Sequence, residues 1–198
     1  MSLPRAVGLV GYPNAGKSTM AGVMAEFGYE TFAGSQILKD VAAVEGFESD
    51  DRRDSYMPLW RHIASSRGPA WLMNEARERA DGSPFVFDGL RIKEDAQELI
   101  KFGDVWHICS TTSEELARSL SRGRSDDEYH DLEDVIDRRR VEDEDGLFNQ
   151  AAIKGLASVH FSLPHIIRGD NMSVEVHRER VLQACKSQLV RLVRSDRV

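Results

Sequence analysis

In the stretch GLVGYPNAGKSTM, residues 8 to 20, Gly11, Gly16, Lys17 and Ser18 stand at the spacing GxxxxGK[ST]. Residues of these types at this spacing hold phosphate. The glycines let successive backbone N–H groups turn inward on an anion, and a helix that starts after the loop adds the positive end of its dipole. Lys17 is long enough to reach the β- and γ-phosphates of a nucleotide, and Ser18 can offer its hydroxyl to Mg²⁺. Asn14, Ala15, Gly16, Lys17, Ser18 and Thr19 are the expected nucleotide-binding set.

A second acid-and-base element is DGLR, in which Asp88 ends an apolar run and Arg91 follows three residues later. A carboxylate at the end of a buried strand beside such a loop can hold the metal through water or orient an acceptor. Two further basic clusters follow. RSLSRGRSDD puts Arg118 and Arg122 on one helical face with Arg124 just beyond, and DRRR supplies Arg138, Arg139 and Arg140. Moving a phosphoryl group requires several cations around the transferring charge, so these arginines are candidates to converge on the loop.

The elements that must position these residues read as alternating strands and helices. RAVGLVG (5–11) is a short apolar run before the loop, and STMAGVMAEFG after it has helical periodicity. YETFAG (29–34) predicts a second strand, followed by a helix with Ser35 as N-cap and Gly46 as its stop. Residues 49–82 hold two helical patterns split by Gly68 and Pro69. SPFVFDG (83–89), DVWHICS (104–110) and the run beginning SVHFS predict three more strands. Thr112 with Glu115 makes a capping box for EELARSLSRG, and the final helix carries a stripe of Val174, Val181, Cys185, Leu189 and Leu192. The segment from Arg122 to Gly146 has few apolar residues and reads as a mobile lobe or a disordered run. The sum is one α/β domain on a parallel sheet, with two inserted helical segments.

Composition narrows the partners. At 198 residues, 41% hydrophobic and 30% charged, the chain is an ordinary soluble globular domain. A net charge of -7 argues against a nucleic-acid surface, since neutralising phosphates takes Lys and Arg in excess. The N-terminal apolar stretch is too short for a signal peptide and no run approaches a membrane span, so a cytoplasmic protein without membrane contact is expected. Cys109 and Cys185 form no CxxC pair, and no two of the six histidines have metal-ligand spacing. Structural thiols in a reducing compartment are expected, with a disulfide or a metal site as the alternatives, and the histidines are assigned no role. The acidic runs Asp50-Asp51 and Glu142 to Asp145 read as solvated, and Trp60, Trp71 and Trp106 as core.

Over about residues 5 to 175 the chain resembles the nucleoside monophosphate kinase superfamily. FDGLR looks like the family's DGxxR or DGxR element, and RGRSDD with DRRR is similar to the arginine-rich lid of adenylate kinases and dephospho-CoA-kinase-like proteins. FAGSQILKDVAA is similar to a stretch of phage deoxynucleoside monophosphate kinases, with Lys39 where many relatives carry arginine. The resemblance implies a P-loop NTPase three-layer α/β/α fold with a five-stranded parallel sheet. It also implies a helical acceptor-binding insertion at about 35–80 and a short lid at about 122–145. ATP and Mg²⁺ are the implied cofactors, the latter held by Ser18 and Asp88. Lys17, Asp88, Arg122 and Arg138 are the implied catalytic residues, Arg118 and Arg124 join the loop at ATP, and Lys39, Arg61 and Arg91 take the acceptor. The expected activity is phosphoryl transfer from ATP to a nucleoside monophosphate, with oligomeric state left open.

GYPNAGKST also resembles the loop of Obg- and Era-type GTPases. Such a switch needs NKxD to read guanine, and none of Asn74, Asn149 and Asn171 is followed by lysine. Its DxxG sensor has a match only at Asp143 to Gly146, in an acidic run with no strand before it. The loop is equally compatible with a dephospho-CoA-type kinase and with a nucleotide-binding regulatory protein.

Overall fold

The computed structural model describes residues 3–47, 53–122, 130–144, 150–162, 179–180, 182–187 and 189–190. Asp50, Asp51, Val174, Val181 and Leu192 lie outside the described residues. Five strands form one sheet: β1 (Ala6–Val10), β2 (Glu30–Ala33), β3 (Phe85–Asp88), β4 (Asp104–Cys109) and β5 (Val159–Ser162). They lie in the order β2-β3-β1-β4-β5, and every neighbouring pair is parallel. The helices are α1 (Lys17–Glu26), α2 (Gly34–Val44), α3 (Arg53–Arg67), α4 (Trp71–Ala80), α5 (Lys93–Leu99), α6 (Thr112–Arg122), α7 (Leu132–Glu144) and α8 (Gln150–Lys154). All five residues of β1 are buried, which is why that strand is an unbroken apolar run. The strand order reverses direction at β1, so its carboxyl end opens into the crevice where ligands bind in such sheets.

Two apolar layers cover the sheet. On one face Val10, Phe85, Phe87 and Val105 pack against Ile37, Ile63, Trp71, Leu99 and Ile153 from α2, α3, α4, α5 and α8. On the other, Leu9, Val86, Trp106 and Ile108 pack against Met20, Val23 and Met24 of α1 and against Cys185 and Leu189. This is the expected three-layer α/β/α arrangement. Each large side chain buried here contributes about 1.5–3 kcal/mol of transfer free energy. All three tryptophans are in these cores, as expected from the sequence.

Three local expectations are corrected. Ser35 is not an N-cap: β2 runs straight into α2, Ala33 holds the extended N-cap conformation, and no side chain caps it. Gly34 allows that abrupt start because a Cβ there would meet the Phe87 ring at 3.0 Å. The capping box of α6 lies one residue early. The Glu114 N–H donates to Thr111 Oγ1 at 3.2 Å and the Thr111 N–H donates to Glu114 Oε2 at 2.8 Å, which leaves Glu115 to turn inward. The polar segment carries a helix, α7, whose Glu142 and Asp143 are not solvated as expected, because both hold cations or hydroxyls of the core domain.

One buried acid ties two helices. No side chain of α4's own N-cap binds its first turn; Asp95 of α5 does so instead, accepting from the Met73 N–H at 3.0 Å. Burial pushes the Asp95 carboxyl up to about 8, with the Met73 N–H working against it and Glu94 adding to it. An unfolded aspartate titrates near ~3.9, so between about pH 4 and 8 the folded chain holds a proton that the unfolded chain has released. Stability therefore falls as pH rises through that window. Asp95→Asn keeps an oxygen for the Met73 N–H and carries no charge. It should be more stable than the parent at pH 8 and should lack that part of the slope, as urea midpoints at pH 5 and pH 8 would show; equal slopes would refute it.

Candidate functional site

The loop between β1 and α1 has the geometry of an anion cradle. Gly11 has φ +153° and a Cβ there would stand 2.6 Å from the Ile108 carbonyl oxygen, so the loop presses on β4 at this point. Asn14 (φ 60°) and Gly16 (φ 102°) are left-handed, and Gly16 starts α1 without a side-chain cap on the first-turn amides. Those amides and the helix dipole fit a phosphate group. Lys17 Nζ spans the loop, donating to the carbonyls of Gly11 and Tyr12 at 2.8 Å each. Ser18 is exposed and Thr19 half-buried just behind. Asp88 is half-buried at the carboxyl end of β3, in register with Leu9 of β1 and Ala33 of β2. Hydroxyl and carboxylate oxygens at these two places are the hard donors that Mg²⁺ takes, so the residues fit a nucleotide with its metal.

Of the sequence-predicted arginines, Arg118 bonds the loop directly and Arg91 is held beside α7. Arg118 of α6 donates from Nη1 to the carbonyls of Asn14 and Ala15, both at 2.9 Å. Arg91, on the loop after β3, pairs with Glu142 of α7 at 3.2 Å, and Arg138 joins the same carboxylate at 3.4 Å. Glu142 thus draws together an arginine from the expected acceptor site and one from the expected lid. Lys39 is half-buried on α2, while Arg61 is exposed on α3. Arg122 closes α6, but its side chain, and the whole of Arg124, lie outside the described residues.

Of the three consecutive arginines on α7, Arg139 has the closest ties to the loop. It forms a fork on Glu115 (Nε to Oε2 3.0 Å, Nη2 to Oε1 2.9 Å), donates to the Ser110 carbonyl at 2.8 Å, and lies 4.5 Å over the Tyr12 ring. Arg140 is exposed and pairs with Asp137. Motif spacing does not single out Tyr12, since its position in GxxxxGK is free. Yet its hydroxyl donates to Asp143 at 2.5 Å and Lys154 of α8 stands 3.3 Å over its ring. Burial, then the bond to Asp143, pushes the Tyr12 phenol well above its ordinary range, so it stays a neutral donor. Lys154 pairs with Asp143 at 3.2 Å; burial pulls its ammonium down, against the pull of that carboxylate. Asp143, the one DxxG candidate, therefore belongs to a helix and binds a tyrosine and a lysine.

The fold brings two histidines that the chain keeps apart together with a cysteine. Parallel pairing of β4 with β5 sets His107 opposite His160, and Cys109 lies two residues from His107 on the same strand face. Their ligand atoms all lie within 4.8 Å of one another. Burial first, then Lys154 and His160, lowers the His107 imidazole to about 4, so that ring is neutral near pH 7. Spacing along the chain could not reveal this group, because the strand register alone joins residues 107 and 160.

No family model matches the chain. A UPF0200 protein from Sulfurisphaera tokodaii is 28% identical over 156 residues, covering 77% of this chain and 85% of that protein. Among solved structures, a shikimate kinase from Acinetobacter baumannii has a TM-score of 0.52 at 15% identity, covering 100% of this chain and 96% of its own. The crystal structure of TT1252 from Thermus thermophilus has 0.56 at 15%, covering 95% and 99%, and a gluconokinase from Sinorhizobium meliloti has 0.51 at 14%, covering 97% and 95%. The parallel sheet, its strand order and the cradle after β1 agree with these likenesses: the chain has the fold of the P-loop small-molecule kinases.

Proposed function

We propose that this chain is an ATP-dependent phosphotransferase acting on a small phosphorylated acceptor, a nucleoside or deoxynucleoside monophosphate. The observation that carries the reading is the convergence of cations from separate elements on one phosphate loop. Lys17 spans it, Arg118 of α6 holds its backbone, and Arg139 of α7 packs on its tyrosine. A switch GTPase has no need of such an array, whereas a kinase must neutralise donor, acceptor and transferred group together.

In this reading, the nucleotide supplies the γ-phosphoryl and the protein supplies position and charge. Lys17 and the first-turn amides of α1 bind the donor phosphates, and Ser18 and Asp88 hold the metal. Asn14, Ala15, Gly16 and Thr19 line the donor side, where Arg118 fixes the loop, with Arg124 expected beside it. Arg91 grips the acceptor phosphate, with Lys39 as a second point charge and Arg61 a peripheral one. Glu142 holds Arg91 and Arg138 until an anionic acceptor competes for them, and Arg122 and Arg138 then face the transferring group. Residues 35–80 form the acceptor side and 122–145 the lid in this proposal.

A second reading takes an alcohol as acceptor, as a dephospho-CoA-type kinase does. It is favoured by the likeness in fold to kinases whose names specify shikimate and gluconate. Coupled ADP release with ATP and Mg²⁺ over nucleoside monophosphates, dephospho-CoA, shikimate, gluconate and no acceptor separates the two readings. Bound ATP with stimulation by none of them would overturn the kinase assignment. Arg91→Ala should raise the KM for a monophosphate acceptor about tenfold or more, as the loss of a charge-assisted contact does, and leave that for ATP within about twofold. Equal effects on both would remove Arg91 from the acceptor side.

A further inference from the structure

We infer that His107, Cys109 and His160 form a binding site for a thiophilic divalent cation of the zinc class, independent of the Mg²⁺ that accompanies a nucleotide. His107 Nδ1 lies 3.1 Å from His160 Nδ1 and 3.5 Å from Cys109 Sγ. Tetrahedral zinc, with Zn–N of about 2.0–2.1 Å and Zn–S of about 2.3 Å, requires donor separations of roughly 3.3 Å between nitrogens and 3.5 Å between nitrogen and sulfur. The two observed separations meet those edges with shifts of a few tenths of an ångström. One ion can therefore replace the proton that the two imidazoles otherwise share.

The donors are two imidazoles and a thiol, a set that suits Zn²⁺ or Co²⁺ and that Mg²⁺ disfavours. They also sit on regular elements, since two are on β4 and the third, on β5, is fixed by its register with β4. Ser162 stands opposite Cys109 on β5 and hydrogen-bonds the sulfur. The nearby cations are already compensated: Lys154 is paired with Asp143 and Arg139 with Glu115. His107 and Cys109 are half-buried while His160 is exposed, so three protein ligands close one side and the fourth position faces water. Three protein ligands with an open position are the arrangement of zinc sites that take water or a substrate as fourth ligand, whereas a purely structural site has four.

Titrating the metal-free full chain with Co²⁺ in the absence of nucleotide tests this. One equivalent should produce the near-ultraviolet thiolate-to-cobalt band with tetrahedral visible bands, Zn²⁺ should displace it, and a large excess of Mg²⁺ should not. Cys109→Ser should abolish the thiolate band, and His160→Ala should weaken Zn²⁺ binding about tenfold or more, at least the loss that follows removal of an outer-shell partner. His160 is exposed, so its replacement leaves the fold intact even if Cys109→Ser does not. Cys185→Ser, in the opposite apolar core, should retain the band. Absence of a thiolate band in the parent, its loss in Cys185→Ser but not in Cys109→Ser, or unchanged Zn²⁺ affinity in His160→Ala would each overturn the site.

Discussion

Lys17→Ala should lower ATP-dependent phosphoryl transfer by roughly 10²–10³-fold, the cost of removing one preorganised charge donor from a developing anion. The side chain leaves the first turn of α1 and bridges the Gly11 and Tyr12 carbonyls, which holds its ammonium at the mouth of the loop. Those two bonds are replaceable, because the same carbonyls can be hydrated when the lysine is absent. Stability should therefore change by no more than about 1 kcal/mol, as expected for a half-exposed side chain away from the core. Lys17→Arg should not restore the rate, since a planar fork cannot take the place of a compact ammonium among loop carbonyls. Rates come from coupled ADP release and stability from urea unfolding of the same preparations. A Lys17→Ala rate within about threefold of the parent would remove the lysine from catalysis, since loss of a charge donor there costs roughly 10²–10³-fold.

How much of the fold and site is legible in the sequence depends on the kind of force involved. The five strands, the phosphate loop and the helical pair split at Gly68 and Pro69 follow from apolar periodicity and glycine placement, and each is found where expected. Apolar periodicity does not reveal helix α7, because LEDVIDRRRVEDE is mostly charged; only the resemblance to a lid implies a charged helix ending in DRRR. That helix is held by one buried valine, Val135, and by successive charged contacts: Arg138 and Glu142 with Arg91, Arg139 with Glu115, and Asp143 with Tyr12 and Lys154. A run of charges looks solvated until its partners, dozens of residues away, are known. The α6 cap is displaced by one residue because TTSEE satisfies the capping spacing in two registers, and Arg139 selects between them by claiming Glu115. Thr111 then takes the cap with Glu114. The His107, Cys109 and His160 group depends on strand register, which no single segment encodes.

The same claim on Glu115 makes Arg139 the charged site residue whose removal should cost the fold most. Glu115 is 0% exposed and Arg139 24%, so the pair is screened by water on one side only. Arg139→Ala would leave the carboxylate buried with the neutral Ser110 hydroxyl as its donor and no cation in the fork. Stranding a buried charge typically costs about 3–5 kcal/mol, and the partial exposure of Arg139 points to the lower part of that range. Against a total of about 5–15 kcal/mol for a domain, that is a large fraction, and α7 should detach before the rest unfolds. Arg139→Lys keeps the charge but not the fork, and should fall between the parent and Arg139→Ala. The decisive variant is the double replacement Glu115→Ala with Arg139→Ala, which removes the stranded charge. It should recover much of the lost stability if burial of an unpaired carboxylate is the cause, and none if Arg139 acts through its packing on Tyr12. An Arg139→Ala loss below about 1 kcal/mol by urea unfolding would class the pair with ordinary surface contacts and leave α7 without its principal anchor to the loop.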